Sequence, residues 1–246
     1  MRSRLTRITA HAAKKGERKI EKTVFENLKK TKYESIELSK FASWAIWDKQ
    51  DIEDTKIIEG SKKKLKGNIV FVALNFGSKK RPDDWKDWQN FHGKGVGDTR
   101  LYKLLSDKRF KGKFKGAYMT DIIKNHPNSA SVNFIKKLKD AEINKNINFF
   151  FKEINLLKKT NIVMYLFGET VENIFKDYVV HHKKFKTFKQ KVIKCQRIDH
   201  YSGRNKYFKK RAPVQLGSVK PKNQKEKKWI YYPLWDCSKQ LCPRWC

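Results

Sequence analysis

The chain has 246 residues, of which 39% are hydrophobic, which is enough for one α/β domain with extensions and a packed core. Its 58 Lys and Arg residues outnumber 25 Asp and Glu residues, so the formal net charge is +33. No run reaches the roughly 18 apolar residues of a membrane span, and no apolar segment follows the basic N-terminus. We therefore expect a cytoplasmic protein without a membrane span or a secretory signal.

The charge excess predicts a polyanionic partner. A coding sequence rich in A and T would raise the Lys content, but it would raise Glu as well, and acidic residues are scarce. Nucleic acid, either DNA or RNA, is the favoured partner. An anionic membrane surface and simple solubility are the alternatives.

The four cysteines do not form a convincing metal site. Cys195 lies in a predicted strand, and Cys237, Cys242 and Cys246 lie close to the C-terminus. No CxxC pair occurs among them, and a cytosolic protein rarely carries disulfides. Free thiols without a metal or cofactor are expected, and a metal bound by the last three with Cys195 or a histidine is the alternative.

Composition divides the chain into three parts. Residues 1–32 are predicted to be a basic, helical N-terminal arm, residues 33–215 an α/β domain, and residues 216–246 a basic tail with aromatic and cysteine residues. Within the domain, the aromatic stretch from Phe41 to Trp47 is predicted to be a helix that faces the core.

Four apolar runs are predicted to be buried strands, at 68–76, 116–123, 161–167 and 191–198. Helical spacing is found at 99–105, 132–138, 147–157 and 170–178, with Asp98 and Ser131 as candidate N-caps. Strand and helix thus alternate along the chain. This pattern predicts a three-layer α/β/α domain with a central four-stranded parallel sheet.

Polar or small residues stand at the carboxyl end of each predicted strand. They are Asn75 with Gly77, Thr120 with Asp121, Gly168, and His200 with Ser202. Open α/β sheets bind ligands at this edge. Hydrolysis of a nucleotide's glycosidic bond needs only a few groups. They are an amide that orients water, an imidazole that donates to the departing base, a group that reads the base, and cations that bind the phosphates.

Four motifs carry a resemblance to a known family: VALNFG (72–77), GAYMTDIIK (116–124), YLFGETVENIF (165–175) and HYSG (200–203). VALNFG resembles the first motif of the uracil-DNA glycosylase superfamily, in the GxNPG form of its mismatch-specific and single-strand-selective branches. The other three are similar, in order, to that family's second strand, its LxLGxxA strand and helix, and its terminal HPS or NPSG loop. The resemblance spans residues 41–213.

The resemblance implies a DNA glycosylase that removes uracil or another deaminated or damaged base. We expect a monomer, and a monofunctional enzyme because no lysine is obviously placed as an amine nucleophile. It places Asn75 on the water-positioning residue and His200 on the residue that hydrogen bonds the base as negative charge develops. The candidate base-binding residues are Thr120 and Asp121, with Phe91 and Phe76 as competing candidates for stacking on the base. The implied contacts to the DNA backbone are Gly77, Ser78, Ser202, Gly203, Arg204 and Lys206.

The chain departs from the family pattern at four positions. Ala73 replaces a common glycine, Phe76 and Tyr201 replace prolines, and Asp121 replaces a group that reads uracil. An ionised carboxylate only accepts hydrogen bonds, so uracil, a deaminated purine and a damaged base all remain open as substrates. Asp121 could also simply pair with Lys124.

Structural roles and other functions remain open for these residues. Asn75 could be a turn residue and His200 a structural histidine. Segment 92–105 has a glycine-rich start that opens a helix at Asp98. We expect this start to be a flexible loop that flanks the pocket rather than a phosphate-binding loop, because no strand precedes it and Asp98 would oppose an anion. The rival functions are a catalytically inactive nucleic-acid-binding protein on the same fold and an enzyme acting on free nucleosides or nucleotides.

Overall fold

The computed structural model describes residues 20–77, 84–126, 135–202, 208–217 and 235–236. The strands are β1 (Lys32–Tyr33), β2 (Ile36–Glu37), β3 (Ala42–Trp44), β4 (Lys66–Ala73), β5 (Ala117–Asp121), β6 (Ile162–Phe167), β7 (Val192–Ile198) and β8 (Trp235–Asp236). The α-helices are α1 (Lys22–Lys30), α2 (Lys56–Gly60), α3 (Val96–Leu105), α4 (Asp140–Leu156), α5 (Glu169–Ile174), α6 (Phe185–Lys191) and α7 (Phe208–Gln215). A π-helical turn, Phe175–Val179, continues α5, and 3₁₀ turns cover Leu38–Lys40, Lys62–Lys64 and Lys108–Phe110.

The main sheet has the strand order β3-β5-β4-β6-β7-β8. Its four central strands are parallel, and β3 and β8 pair antiparallel at the two edges. These central strands are the four that the apolar runs predict, so an α/β fold with a mostly parallel sheet is confirmed. The chain leaves β4 towards β5 and leaves β6 towards β7, which puts the topological switch point between β4 and β6.

Apolar side chains cover both faces of the sheet. On one face, Val70 and Val72 of β4 belong to a core cluster shared with α1, α4, α5 and α6. On the other face, Phe71 and Ala73 belong to a cluster shared with α3 and α7. A shift of one residue in the pairing would exchange the two faces, so burial of both fixes the register of the strands.

The predicted helix from Phe41 to Trp47 is wrong. Part of this stretch forms β3, in which Ala42 pairs with Thr120 and Trp44 with Tyr118. The Trp44 and Tyr118 rings pack at a centroid distance of 4.8 Å. Every residue of β3 is buried, so the strand lacks the alternation that distinguishes it from a helix.

The helices differ from prediction mainly at their starts. Segments 99–105, 147–157 and 170–178 fall within or overlap α3, α4, and α5 with its π turn. Asp98 is not an N-cap as predicted, because α3 begins at Val96 and Gly95 precedes it. Ser131 and residues 132–134 of the predicted helix at 132–138 lie outside the described residues. Within the described ranges, no helix has the length and apolarity that crossing a membrane requires.

Both ends of the predicted α/β domain continue into packed structure. Helix α1 buries Val24, Phe25 and Leu28 in the core and contacts α4. At the other end, β8 extends the sheet beside β7. The arm and the tail therefore each supply an element to the domain. Cys237, Cys242 and Cys246 lie outside the described residues.

A buried ion pair joins the end of β5 to α4. Lys124 Nζ lies 2.8 Å from Glu153 Oε2, and both side chains are 0% exposed. Lys124 also donates to Thr120 Oγ1 at 2.6 Å and to the main-chain oxygen of Asp121. Tyr118 donates its hydroxyl to Glu153 Oε1 at 2.7 Å, and burial followed by the charge of Glu153 raises the pKa of Tyr118 well above its usual value. This network fixes the carboxyl end of β5.

We predict that Glu153→Gln lowers the free energy of unfolding by about 3–5 kcal/mol, because it leaves the buried Lys124 ammonium without a counterion. Urea denaturation followed by tryptophan fluorescence measures the loss. The double variant Lys124→Met/Glu153→Leu should recover most of it. Glu34→Gln, which breaks the exposed pair with Lys145, is the control and should cost about 1 kcal/mol or less. A double variant as unstable as Glu153→Gln would contradict the prediction.

Candidate functional site

The register of the sheet aligns the carboxyl ends of the four parallel strands. One row of residues crosses the sheet at this edge: Asp121, Ala73, Phe167 and Ile198. The main chains of Ala73 and Ile198 are two strands apart, or about 10 Å at about 4.8 Å per interstrand spacing. Asn75 and His200 follow these two residues by two positions. The structure therefore brings both predicted catalytic residues to one edge, on either side of the switch point.

Asn75 is half-buried and held by the main chain. Its amide N–H groups donate to the main-chain oxygens of Phe76, at 3.1 Å, and His126, at 2.7 Å. The bond to His126 ties the loop after β4 to the loop after β5. The side-chain oxygen of Asn75 is the other polar atom of this fixed amide. An amide oxygen has two lone pairs, with which it can accept hydrogen bonds from water.

His200 is held as a neutral imidazole. The main-chain N–H of Ser202 donates to His200 Nδ1 at 3.0 Å, so in the neutral ring the proton is on Nε2. Burial lowers the pKa of His200 from 6.5 to about 4. Among the described residues, none accepts a hydrogen bond from Nε2. The ring therefore presents an uncharged N–H donor at physiological pH.

Gly168 allows this position of His200. Its φ of +86° is unfavourable for other residues, and a Cβ atom on it would lie 3.3 Å from His200 Cβ. The Gly168 N–H donates to the oxygen of Ile198 at 2.8 Å, which joins the ends of β6 and β7. The His200 ring stacks on Tyr201, with centroids 4.6 Å apart and planes inclined by 16°.

Helix α3 packs against the loop that carries His200. Arg100 donates from a guanidinium nitrogen to the main-chain oxygen of Ser202 at 3.1 Å. A Cβ atom on Gly97 would lie 3.5 Å from the Tyr201 ring. The proposed phosphate contact Ser202 is half-buried in this arrangement, and Gly77 is exposed at the end of the β4 loop. Ser78, Gly203, Arg204 and Lys206 lie outside the described residues.

Asp121 presents a buried carboxylate on the same face of the sheet as the α3 cluster. Its residue is 2% exposed, and Oδ2 accepts from Asn90 Nδ2 at 2.8 Å. Asn90 also donates to the main-chain oxygen of Phe41 at 2.7 Å. Lys124 donates to the main-chain oxygen of Asp121. Sequence reasoning missed Asn90, since no strand or motif marks it.

Tyr201 lies among carboxylates. Burial raises the pKa of Tyr201 well above its usual value, and the charges of Asp98 and Asp121 raise it further. Asp98 accepts from the N–H of Gly93 at 3.0 Å, but burial raises the pKa of Asp98 to about 6. The only sequence signal for this group of residues was that Tyr201 stands where the resembled family has proline.

The other predicted base-binding residues have different surroundings. Phe91 is 4% exposed, and its ring meets Tyr201 edge-on at 6.4 Å. Phe76 is half-buried and meets Trp85 edge-on at 4.9 Å. Thr120 faces the opposite side of the sheet from Asp121 and accepts from Lys124. Its side chain is thus committed to the buried network.

Comparison of the chain with protein-family models, with curated proteins and with solved structures gives no match. The resemblance to the uracil-DNA glycosylase superfamily therefore stays a prediction from four short motifs. Within the part of the chain that the structure describes, no three His, Cys, Asp or Glu side chains are grouped so as to hold a metal ion.

We predict that His200 stays neutral, with the proton on Nε2, from pH 8 to about pH 5, and that it titrates with a pKa near 4. Long-range ¹H–¹⁵N correlation NMR across this range reads both the tautomer and the midpoint, and His200→Gln assigns the signal. Titration near 6.5, or a proton on Nδ1, would contradict the prediction.

The same shift predicts how stability depends on pH. The unfolded chain takes up a proton on this histidine near pH 6.5, whereas the folded chain does so only near pH 4. The free energy of unfolding should therefore fall as the pH drops from 6.5 to 4. Urea denaturation at several pH values should show a smaller fall for His200→Gln. An equal fall would contradict the assignment. The buried His92, whose pKa is also about 4, contributes equally to the pH dependence of stability in the wild type and in His200→Gln.

Proposed function

We propose that the protein is a DNA glycosylase that hydrolyses the N-glycosidic bond of a deaminated or damaged base. The observation that supports this most is the state of His200, a neutral imidazole whose Nδ1 accepts from Ser202 N–H. Its Nε2–H donor lies at the carboxyl edge of a parallel sheet, on the same edge as the Asn75 amide. Such a donor suits a reaction in which negative charge develops on the departing group.

The proposed chemistry needs no charged acid. When the bond from C1′ to the base nitrogen breaks, the electron pair leaves with the base. The Nε2–H of His200 hydrogen bonds the growing negative charge, and the buried setting strengthens this bond. Asn75 accepts a hydrogen bond from a water molecule and orients it towards C1′. Water adds to C1′, and the proton that it loses neutralises the base anion.

The charge of the chain supports a DNA substrate. A net charge of +33 attracts a polyanion and supplies contacts to phosphates. A base in a duplex must be rotated out of the stack before its glycosidic bond can be reached. We assign Gly77, Ser78, Ser202, Gly203, Arg204 and Lys206 to the backbone contacts, and Asp121, Phe91 and Phe76 to the base.

The proposal includes the fold of the resembled family, a three-layer α/β/α domain around four parallel strands. Two observations support it. The four motifs fall on β4, β5, β6 with α5, and the loop after β7, in the family's order. The core clusters also place helices on both faces of the sheet.

We predict that the purified protein leaves alkali-labile sites in oligonucleotides that carry one modified base. A panel of single- and double-stranded oligonucleotides with uracil, hypoxanthine, xanthine or 8-oxoguanine tests this by gel analysis after alkali. His200→Ala should slow base release by about 10²–10³-fold, the usual effect of removing one donor to a developing negative charge. Asn75→Ala should also lose most activity.

The matched control is His181→Ala, because His181 is exposed and lies on the segment between α5 and α6, at a distance from the site along the chain. Circular dichroism checks that each variant is folded. Full activity in both Asn75→Ala and His200→Ala would rule out the residue assignments.

One observation favours a second function, a nucleic-acid-binding protein without catalysis. Both N–H groups of Asn75 are bound by main-chain carbonyls, as they would be in a residue that only fixes a loop. In that case the protein binds oligonucleotides with an affinity that falls steeply with salt, and it releases no base from any member of the panel.

A further inference from the structure

The amino ends of the four parallel strands lie at the edge of the sheet opposite the candidate site. The six residues of β6, at about 3.3 Å each, separate the two edges by about 20 Å. The segments that lead into the four strands are 62–66, 108–116, 157–161 and 183–191, and together we call them the amino edge. Lys or Arg occupies more than half of their positions, and none of them contains Asp or Glu.

The segments of the amino edge form one continuous surface. The Lys66 N–H donates to the main-chain oxygen of Gly116 at 2.6 Å, which joins the segments before β4 and β5. A Cβ atom on Gly67 would lie 3.0 Å from Lys159 Cγ, so the start of β4 also touches the segment before β6. The first residues of β6 and β7 are paired. Cations from four separate parts of the chain therefore lie side by side.

Like charges are crowded on this surface. Burial, followed by the charge of Lys194, lowers the pKa of Lys113 from its usual value. Lys113 precedes β5 and Lys194 lies on β7, so ammonium groups from two different strands are near enough to repel each other. A phosphate beside them would offset this repulsion, because a nearby opposite charge favours the protonated form of lysine.

Several of these cations are available for an external anion. Lys62 and Arg109 pair with nearby carboxylates. By contrast, Lys64, Lys115 and Lys158 are exposed, and within the described ranges their ammonium groups form no ion pair. These three lysines come from the segments before β4, β5 and β6, so an anion that reaches all of them has to be extended.

The width of the amino edge suits a polymer of phosphates. Four neighbouring strands at about 4.8 Å make the edge about 14 Å wide. Duplex DNA carries one phosphate charge per about 1.7 Å of its axis, or about eight over this width. The edge therefore offers cations to several phosphates of one backbone at once.

The aromatic residues near the amino edge are used in packing. Phe114 and Phe188 are buried, and His182 stacks on Phe151 with centroids 4.7 Å apart. Unpaired bases bind by stacking on accessible rings, whereas a duplex presents its phosphates. The surface therefore suits the backbone of a duplex better than a single strand.

An anionic membrane fits this surface less well. Proteins that lie on a membrane combine cations with apolar side chains that enter the lipid. Among the described residues, Val96 is the only large apolar side chain that is exposed. It begins α3, next to the loop that carries His200, and so lies at the opposite edge.

We propose that the amino edge binds the phosphate backbone of duplex DNA, at a surface separate from the candidate site. Because its contacts are to phosphates, this binding is independent of base sequence and of damage. The inference goes beyond the proposed function and needs no base release. Together with that function, it implies that the DNA segment held at the amino edge differs from the segment whose base is removed.

The first test is the affinity for a short duplex without a damaged base, measured by fluorescence anisotropy between about 50 and 200 mM salt. The slope of log K against log salt changes by about 0.9 for each phosphate contact that is lost. The triple variant Lys64→Gln/Lys115→Gln/Lys158→Gln should therefore weaken binding and make the slope shallower by about two to three. Circular dichroism checks that the variant is folded.

The matched control removes the same charge from three exposed lysines that pair with carboxylates. It is Lys94→Gln/Lys145→Gln/Lys176→Gln, whose partners are Glu53, Glu34 and Glu172. The control should change the slope by less than about one. An equal change in both triple variants would overturn the inference, because it would show that only the total charge matters.

A second measurement uses the wild type and needs no variant. Acetylation of lysines, read by mass spectrometry, should be slowed by the duplex at Lys64, Lys115 and Lys158 and not at Lys145 or Lys176. Absence of protection at the amino edge would overturn the inference, whatever the result of the base-release assay. Stronger protection by phosphatidylserine vesicles than by duplex, at equal phosphate concentration, would overturn it in favour of a membrane partner.

Discussion

Parallel pairing of β4 with β6, in the register that sets Val72 beside Leu166, is the constraint on which the candidate site depends. These two strands lie at the switch point, so the chain leaves their carboxyl ends in opposite directions and opens a crevice between them. The neighbours β5 and β7 are then aligned by their own pairing. Asn75 and His200, 125 residues apart in the chain, reach one edge only because this register holds, and burial of both sheet faces holds it.

Burial favours the uncharged form of two groups near Tyr201, the His200 ring and the Asp98 carboxyl group. Around His200 it keeps the ring uncharged, with a pKa of about 4, and the Ser202 N–H selects the tautomer that presents Nε2–H. Around Asp98 it raises the pKa of the carboxyl group to about 6. A donor that is already neutral can stabilise an anion over a wide pH range. The chain obtains this donor from one loop and one glycine, Gly168, which lets the loop approach β6.

The parts of the fold that follow local rules could be predicted from the sequence. Continuous β-branched and aromatic runs marked the four central strands, and the alternation of strands with helices gave the parallel sheet. The edge strand β3 could not be found in this way, because all three of its residues are buried and its partner, β5, is distant in the chain. The same limit hid Asn90, whose role depends on two contacts, to Asp121 and Phe41, that no local pattern encodes.

Two adjacent residues of β5 have different roles, and only the structure distinguishes them. Thr120 and Asp121 are neighbours in sequence, but the two-residue period of a strand sends them to opposite faces. Thr120 joins the Lys124 and Glu153 pair in a buried network, whereas the Asp121 carboxylate accepts from Asn90 on the other face of the sheet. Lys124 reaches both residues, since it donates to the Thr120 hydroxyl and to the Asp121 main chain. The network therefore fixes the main chain of β5 at the position of Asp121.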